Sequence, residues 1–404
     1  MNAARESQKF LTAKTAPGGF MSFSFSTARI VFGPGTRSGI AGQAALLGRR
    51  CLLVIGGQPG RCEWLRRELS DVMETVHTVS VGGEPGTDFI ALQADSARNA
   101  ACDVVVAMGG GSVLDAGKAL AALVTNTGDI FDYLEVVGRG QPLLASPLPM
   151  IAVPTTAGTG SEVTANAVLL ASEHEVKVSL RSVDMIPRLA IIDPELAVSL
   201  PSRQTAATGM DALTQLMEAF VSHAASPLTD PLCRDGLTRA ARSLRRAVAD
   251  GTDLEARSDM ALASLFSGMA LANAKLGAVH GFAAPLGAAL GAAHGEICAA
   301  LLPHVMEANI RALHKADSDH PALKRYVEVA RLLTGEQGAS ARDGVRFVDT
   351  LCADLDIRGL GLLGLQEEAL PDLARKAAGA SSMRGNPVVL EQDELVAILR
   401  RAMG

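Results

Sequence analysis

Asp103-Val104-Val105-Val106-Ala107-Met108-Gly109-Gly110-Gly111-Ser112 decides the fold. Asp103 leads into an apolar, valine-rich run through Met108, and these six residues read as a buried strand. Three glycines and a serine then open a helical stretch that includes Asp115 and Lys118. Glycines let backbone N–H groups approach an anion, and a helix N-terminus adds roughly half a positive charge. A diphosphate is the natural guest of such a turn in a βαβ sheet. The plain alternative is a tight turn with no ligand.

The same alternation extends outward. Residues 51–55 (CLLVI), 76–81 and 150–153 (MIAV) read as strands, and 61–73 and 89–100 have helical spacing. This predicts βαβ units and a mostly parallel sheet with both faces covered. A smaller strand region follows at 176–180 and 190–193. After Pro201 the texture changes. Stretches 203–222, 231–249, 253–275, 277–293, 321–334, 340–354 and 391–402 are helical in pattern, with no convincing strand. The expected class is α/β followed by all-α: a loose tail at 1–20, a nucleotide domain over 21–198 and a helical domain over 199–404.

Composition narrows the function. The chain has 404 residues, with 37 Lys and Arg against 43 Asp and Glu, a net charge of −6. That balance argues against a general nucleic-acid or anionic-membrane binder, since both need clustered positive charge. Aromatic residues make up 3%, too sparse for a base-stacking platform. The six cysteines form no CxxC pair, so they are expected to be buried, reduced thiols of a cytoplasmic protein. The first 20 residues lack the apolar core of a signal peptide, and Met21 is a possible start. The weakly polar stretch 276–293 is rich in Gly and Ala and is broken by Pro285, so it reads as a buried helix rather than a membrane span.

A second polar turn runs from Pro154 to Glu162. Thr155, Thr156, Thr159 and Ser161, with Gly158 and Gly160, offer hydroxyls and close backbone approach. They suit the ribose and phosphate of a cofactor, or a plain helix cap. Farther on, Asp211 and Gln215 lie four apart, on one face of a helix. His280 and His294 follow in apolar helical sequence. Together these four complete a four-coordinate divalent site, or else are satisfied core residues. His223, His304 and His314 have no comparable company and default to structural or surface roles.

In these blocks the sequence resembles the iron-containing (group III) alcohol dehydrogenase family. The resemblance runs from about Ser24 to the C-terminal helices. It rests on Phe32-Gly33-Pro34-Gly35, Gly109 to Ser112 with Asp115 and Lys118, Pro154-Thr155-Thr156 through Glu162, Asp193-Pro194, Gly209-Met210-Asp211-Ala212-Leu213, Val279-His280-Gly281, Ala293-His294-Gly295 and Leu302-Pro303-His304-Val305. It implies a Rossmann-like, dehydroquinate synthase-like NAD(P) domain followed by a helical domain, with nicotinamide, metal and substrate in the cleft between them. It assigns Gly109, Gly110, Gly111, Ser112 and Asp115 to the pyrophosphate turn. Thr155, Thr156, Thr159 and Ser161 would line the dinucleotide, and Lys177 would sit near the ribose. Asp211, His280 and His294 match three metal ligands and carry the catalytic role. A homodimer acting on a small-molecule alcohol or carbonyl is implied as well.

Two positions depart from the family pattern. Gln215 stands where the family has its first histidine ligand, and a neutral amide oxygen is a poorer ligand for Fe²⁺ or Zn²⁺ than imidazole. Ala284 stands where a second family histidine handles protons. Cofactor choice rests on Gly56 and Gly57, which follow the first strand of the series where NAD-preferring members carry an Asp. A carboxylate there bonds the ribose 2′-OH and repels a 2′-phosphate. Its absence, with Arg61 close by, favours NADP over NAD. The expected activity is therefore metal-assisted interconversion of an alcohol and an aldehyde or ketone. Alternatives are a maleylacetate-reductase-like or acidic-aldehyde reductase with weak or no metal, and an inactive dinucleotide-binding protein.

Overall fold

The computed structural model describes residues 23–174 and 176–404. The expected tail at 1–20 and the possible start at Met21 lie outside the described residues. A six-stranded sheet is built from β1 (Arg29–Phe32), β2 (Arg50–Gly56), β3 (Thr75–Val81), β4 (Val104–Gly109), β5 (Met150–Pro154) and β8 (Leu189–Ile192). The order is β1-β8-β5-β4-β2-β3, with every neighbouring pair parallel. All six residues of β4 are buried, because strands flank it on both edges and helices cover both faces. The chain leaves β2 for the sheet edge at β3, then returns to β4 on the other side of β2. The crevice at the carboxyl ends of β2 and β4 is thus the topological switch point where open α/β sheets bind ligands.

Helices α1 (Ile40–Leu47) and α2 (Glu63–Val72) cover one face through Ile40, Leu65 and Leu69. Helices α3 (Thr87–Asn99) and α4 (Gly111–Thr125) cover the other through Ile90, Leu114 and Leu120. The smaller strand region expected at 176–193 splits in two. β7 (Val176–Arg181) pairs antiparallel with β6 (Asn166–Ala171), a strand absent from the expectations. That hairpin lays Ala167, Leu169, Val178 and Leu180 onto the α4 core. Leu189–Ile192 instead enters the main sheet between β1 and β5.

From Ser202 onward the described chain is helical: α5 (Ser202–Val221), α6 (Thr229–Ala249), α7 (Leu254–Asn273), α8 (Ala278–Leu290), α9 (His294–Ala316), α10 (Pro321–Thr334), α11 (Ala341–Asp354), α12 (Leu370–Ala378) and α13 (Gln392–Ala402). The expectations missed α9 and α12. α9 is the longest helix, with 23 residues. It is buried nearly all round, so amphipathic spacing does not mark it. Gly295 and Pro303 also punctuate it as a loop would be punctuated. α8 is a buried helix with Pro285 inside it, as expected. No single helix among the described residues is long and apolar enough to cross a membrane.

α5 runs through the middle of this helical part. It packs against α6, α7 and α9, and nearly every residue from Gly209 to Val221 is buried. Asp211, Gln215 and Glu218 therefore face the interior, where uncompensated polar groups are costly.

Candidate active site

The two expected ligand-binding turns lie against each other. A Cβ built on Gly111 would stand 2.7 Å from Cγ2 of Thr159, and one on Gly110 would stand 3.3 Å from Cγ2 of Thr156. The glycines are what allow this approach. Gly110 and Gly111 open α4, so its N-terminal amides face the switch-point crevice. Gly56 ends β2, and Gly57 follows it on the other side of the same crevice.

Ser161 and Asp115 are turned inward instead. Ser161 Oγ donates to Asp115 Oδ1 at 2.6 Å, and the Val168 amide donates to Asp115 Oδ2 at 3.0 Å. Lys118 is wholly buried and ties this knot by donating to the Ser161 carbonyl and to Thr164 Oγ1. Burial lowers the lysine's pKa, while Asp115 opposes that effect. Lys177 pairs with Glu84 at 2.5 Å at the margin between β7 and α8.

The threonine turn then meets the helices. Gly160 adopts φ +61°, and a Cβ there would come within 2.3 Å of Gly268 Cα on α7. A Cβ on Gly158 would stand 2.7 Å from Cβ of Thr208 on α5. Asp211 lies three residues past Thr208, one turn farther along the same face of α5.

Around Asp211 the structure gathers His280 from α8, and His294 and Cys298 from α9, with one donor atom from each within 4.8 Å of the rest. Asp211 Oδ1 stands 3.4 Å from His280 Nε2 and 3.6 Å from His294 Nε2. Cys298 Sγ stands 3.7 Å from His294 Nε2 and 4.0 Å from His280 Nε2. Asp211 is 2% exposed, yet its Oδ1 has no hydrogen-bond partner. A buried carboxylate oxygen left open toward two imidazoles and a thiol suits a divalent cation. The cluster is closed on three sides and opens at His294, whose side chain is 39% exposed.

Three of the four expected metal residues thus come together, while Gln215 is placed beside them. Its amide nitrogen donates to Asp211 Oδ2 at 3.2 Å, and its oxygen accepts from Ser267 Oγ at 2.7 Å. Two participants were missed from sequence. Glu218 continues the Asp211–Gln215 stripe of α5, seven residues past Asp211. It accepts from the Val279 amide at 2.7 Å and lies 2.7 Å from His280 Nδ1. Cys298, expected as one more inert thiol, lies one turn past His294, so both face Asp211. Burial pushes Cys51 up to about 12 and Cys102 up to about 11. Burial acts on Cys298 in the same direction, but His294 and His280 outweigh it and pull its thiol below the usual value. Burial disfavours charge on His280 too, and Cys298, Asp211 and Glu218 together raise its pKa well above the usual value.

The comparisons with known proteins cover both parts of this architecture. Residues 27–194 match the family model described as iron-containing alcohol dehydrogenase, and residues 205–403 match the C-terminal model of the same family. A 1,3-propanediol dehydrogenase of Klebsiella pneumoniae is 39% identical over 313 residues, covering 76% of this chain and 77% of its own. A crystal structure of a 1,3-propanediol oxidoreductase superposes with a TM-score of 0.87 at 33% identity, over 94% of this chain and all of that one. The sulfoacetaldehyde reductase of Bifidobacterium kashiwanohense, solved with NAD+, superposes with a TM-score of 0.84 at 31% identity, covering 95% of this chain and 99% of that one. Matched in its sheet and in its helices alike, the chain belongs to the iron-containing alcohol dehydrogenase family and is an NAD(P)-dependent alcohol oxidoreductase.

Proposed function

We propose that this chain interconverts a small aldehyde or ketone and its alcohol, with the dinucleotide on the Gly109–Ser112 turn and a divalent metal at Asp211, His280 and His294. The observation that carries this reading is the route from turn to cluster: Gly158 rests on Thr208, and Asp211 follows one turn later on the same helix face. When bound, nicotinamide and metal supply hydride transfer and Lewis-acid polarisation of the carbonyl.

The chain's own part is orientation and charge. The N-terminal amides of α4 hold the diphosphate, and Thr155, Thr156 and Thr159 line the dinucleotide beside it. Glu218 fixes the ring of His280 so that Nε2 faces the reaction centre. Substrate enters on the open His294 side. Ala284 carries no proton, so the proton that completes the alcohol comes from water at that opening.

NADPH is the preferred reductant in this reading. Gly56, Gly57 and Gln58 place no carboxylate at the end of β2 to repel a 2′-phosphate, and Arg61 lies on the turn that follows. Arg61 donates to Ser199 Oγ, an exposed contact that an anion can replace.

The test is oxidation of NADPH and NADH with a panel of aldehydes and ketones. Asp211→Ala and His280→Ala are expected to abolish turnover while calorimetry still detects dinucleotide binding. Undiminished turnover in both variants refutes the site. Dinucleotide binding with no turnover across the panel, for the unaltered chain, points instead to an inactive binder.

A further inference from the structure

The Asp211 cluster has a donor set that its sequence spacing does not suggest. Gln215 lies four residues from Asp211, but both ends of its amide are engaged, one by Asp211 Oδ2 and the other by Ser267. The free oxygen of Asp211 points elsewhere, toward two imidazole nitrogens and one sulfur. Four donors that share a tetrahedral ion at about 2.0–2.3 Å stand about 3.3–3.8 Å apart. Four of the six separations among Asp211, His280, His294 and Cys298 run from 3.4 to 4.0 Å, and the other two stay within 4.8 Å.

We infer that Cys298 is the fourth protein ligand of the metal, as a thiolate, and that Gln215 positions Asp211 without ligating. This rests on the proposed metal-assisted reading of the site. Charge supports it independently. One carboxylate, one thiolate and two neutral imidazoles sum to −2, which neutralises a divalent ion in a largely buried centre. Gln215 in place of Cys298 would leave such a centre at +1, and burying net charge is costly. His294 and Cys298, one turn apart at the start of α9, deliver two ligands from one rigid element, so no loop has to move. The ligating forms are a thiolate and two neutral imidazoles, so binding releases to solvent the protons these groups still hold. A thiolate donor also favours Zn²⁺ or Co²⁺ over Mn²⁺ and Mg²⁺. Substrate would reach this centre from the open His294 side.

The experiment loads the full-length protein with Co²⁺ and records its absorption, then measures Zn²⁺ affinity by competition with a chromophoric chelator. The unaltered protein is expected to show a thiolate-to-cobalt charge-transfer band in the near ultraviolet. Cys298→Ser should lose that band and bind Zn²⁺ about a hundredfold or more weakly, while Gln215→Ala keeps the band and loses about tenfold. Thermal melting of the metal-free proteins checks that each variant folds. A second variant, Cys298→Ala, repeats the measurement without a hydroxyl. A cobalt complex without the charge-transfer band overturns the inference, as does Zn²⁺ binding that depends on Gln215 and not on Cys298. Either of those results leaves Asp211, His280 and His294 as a metal site. Failure of the unaltered protein to bind any divalent ion overturns the metal reading itself, and this inference with it.

Discussion

Glu218 Oε2 on α5 lies 2.7 Å from Nδ1 of His280 on α8, and its other oxygen accepts the backbone N–H of Val279. One buried carboxylate thus caps the first turn of α8 and orients the imidazole that this turn carries. A carboxylate only accepts, so Nδ1 carries a proton and Nε2 is the ring nitrogen that faces Asp211 and Cys298 and is left for a metal. Glu218→Gln should keep the cap, because an amide oxygen still accepts from Val279, but it loosens the hold on the ring. The expected result is a loss of metal affinity of about 10- to 100-fold with a smaller change in melting temperature. Chelator competition and thermal melting on the same samples separate positioning from folding. Unchanged affinity would remove Glu218 from the site.

Gly295 sets how closely α9 approaches α5. A Cβ at this position would stand 2.1 Å from the Ala207 carbonyl oxygen and 3.3 Å from Cβ of Asp211. Gly295→Ala must therefore push the start of α9, and His294 and Cys298 with it, away from Asp211. A cost of about 1–3 kcal/mol in stability is expected. Metal affinity should fall as well, since the donor separations widen. Denaturant unfolding of the metal-free protein and a zinc titration read the two effects, and a variant with undisturbed zinc binding would contradict the claim.

Cofactor choice is tested by restoring the missing acid. A Cβ on Gly57 meets Gly82 Cα no closer than 3.4 Å, so a side chain has room there. Gly57→Asp should lower kcat/KM for NADPH about tenfold or more, the equivalent of about 1.4 kcal/mol, through repulsion of the 2′-phosphate. The value for NADH should hold or rise. If the NADPH-to-NADH ratio does not move, the adenosine end does not lie at β2.

Away from the site, Asp259 on α7 fastens α7 to α6. Burial opposes its charge, but Arg242, Ser243 and Arg239 outweigh that and hold its carboxyl at about 2 against an ordinary 3.8. A depressed carboxyl stabilises the fold above the unfolded value and loses that contribution as pH falls toward the folded one. The window is therefore about pH 4 down to pH 2, and the amount is about 2 kcal/mol. Asp259→Asn should melt lower at pH 7, and the gap to the unaltered protein should close across that acid window. Melting curves over the pH series decide it, and a constant gap would sink the assignment.

The sheet and the phosphate turn were legible because their signals are local. The run from Val104 to Ser112 carries strand, turn and helix start within nine residues, and each follows from backbone sterics and burial. Spacing along one helix also brought Asp211 forward, and the two histidines stood out in apolar sequence. The rest was decided between helices. Gln215 has the right spacing for a ligand but turns to Asp211 and Ser267, because a buried amide must satisfy both its ends. Cys298 lies four residues past His294, a spacing visible in the sequence, but nothing there says that this face meets Asp211. It joins the site only because Gly295 lets α9 lie against α5, a contact between residues 88 apart in sequence (295 − 207). Sequence alone determined which groups could do chemistry, since composition and local geometry set donor types and turns. Tertiary packing decided which donors meet, since that depends on how closely two helices approach and on which polar atoms are left without partners.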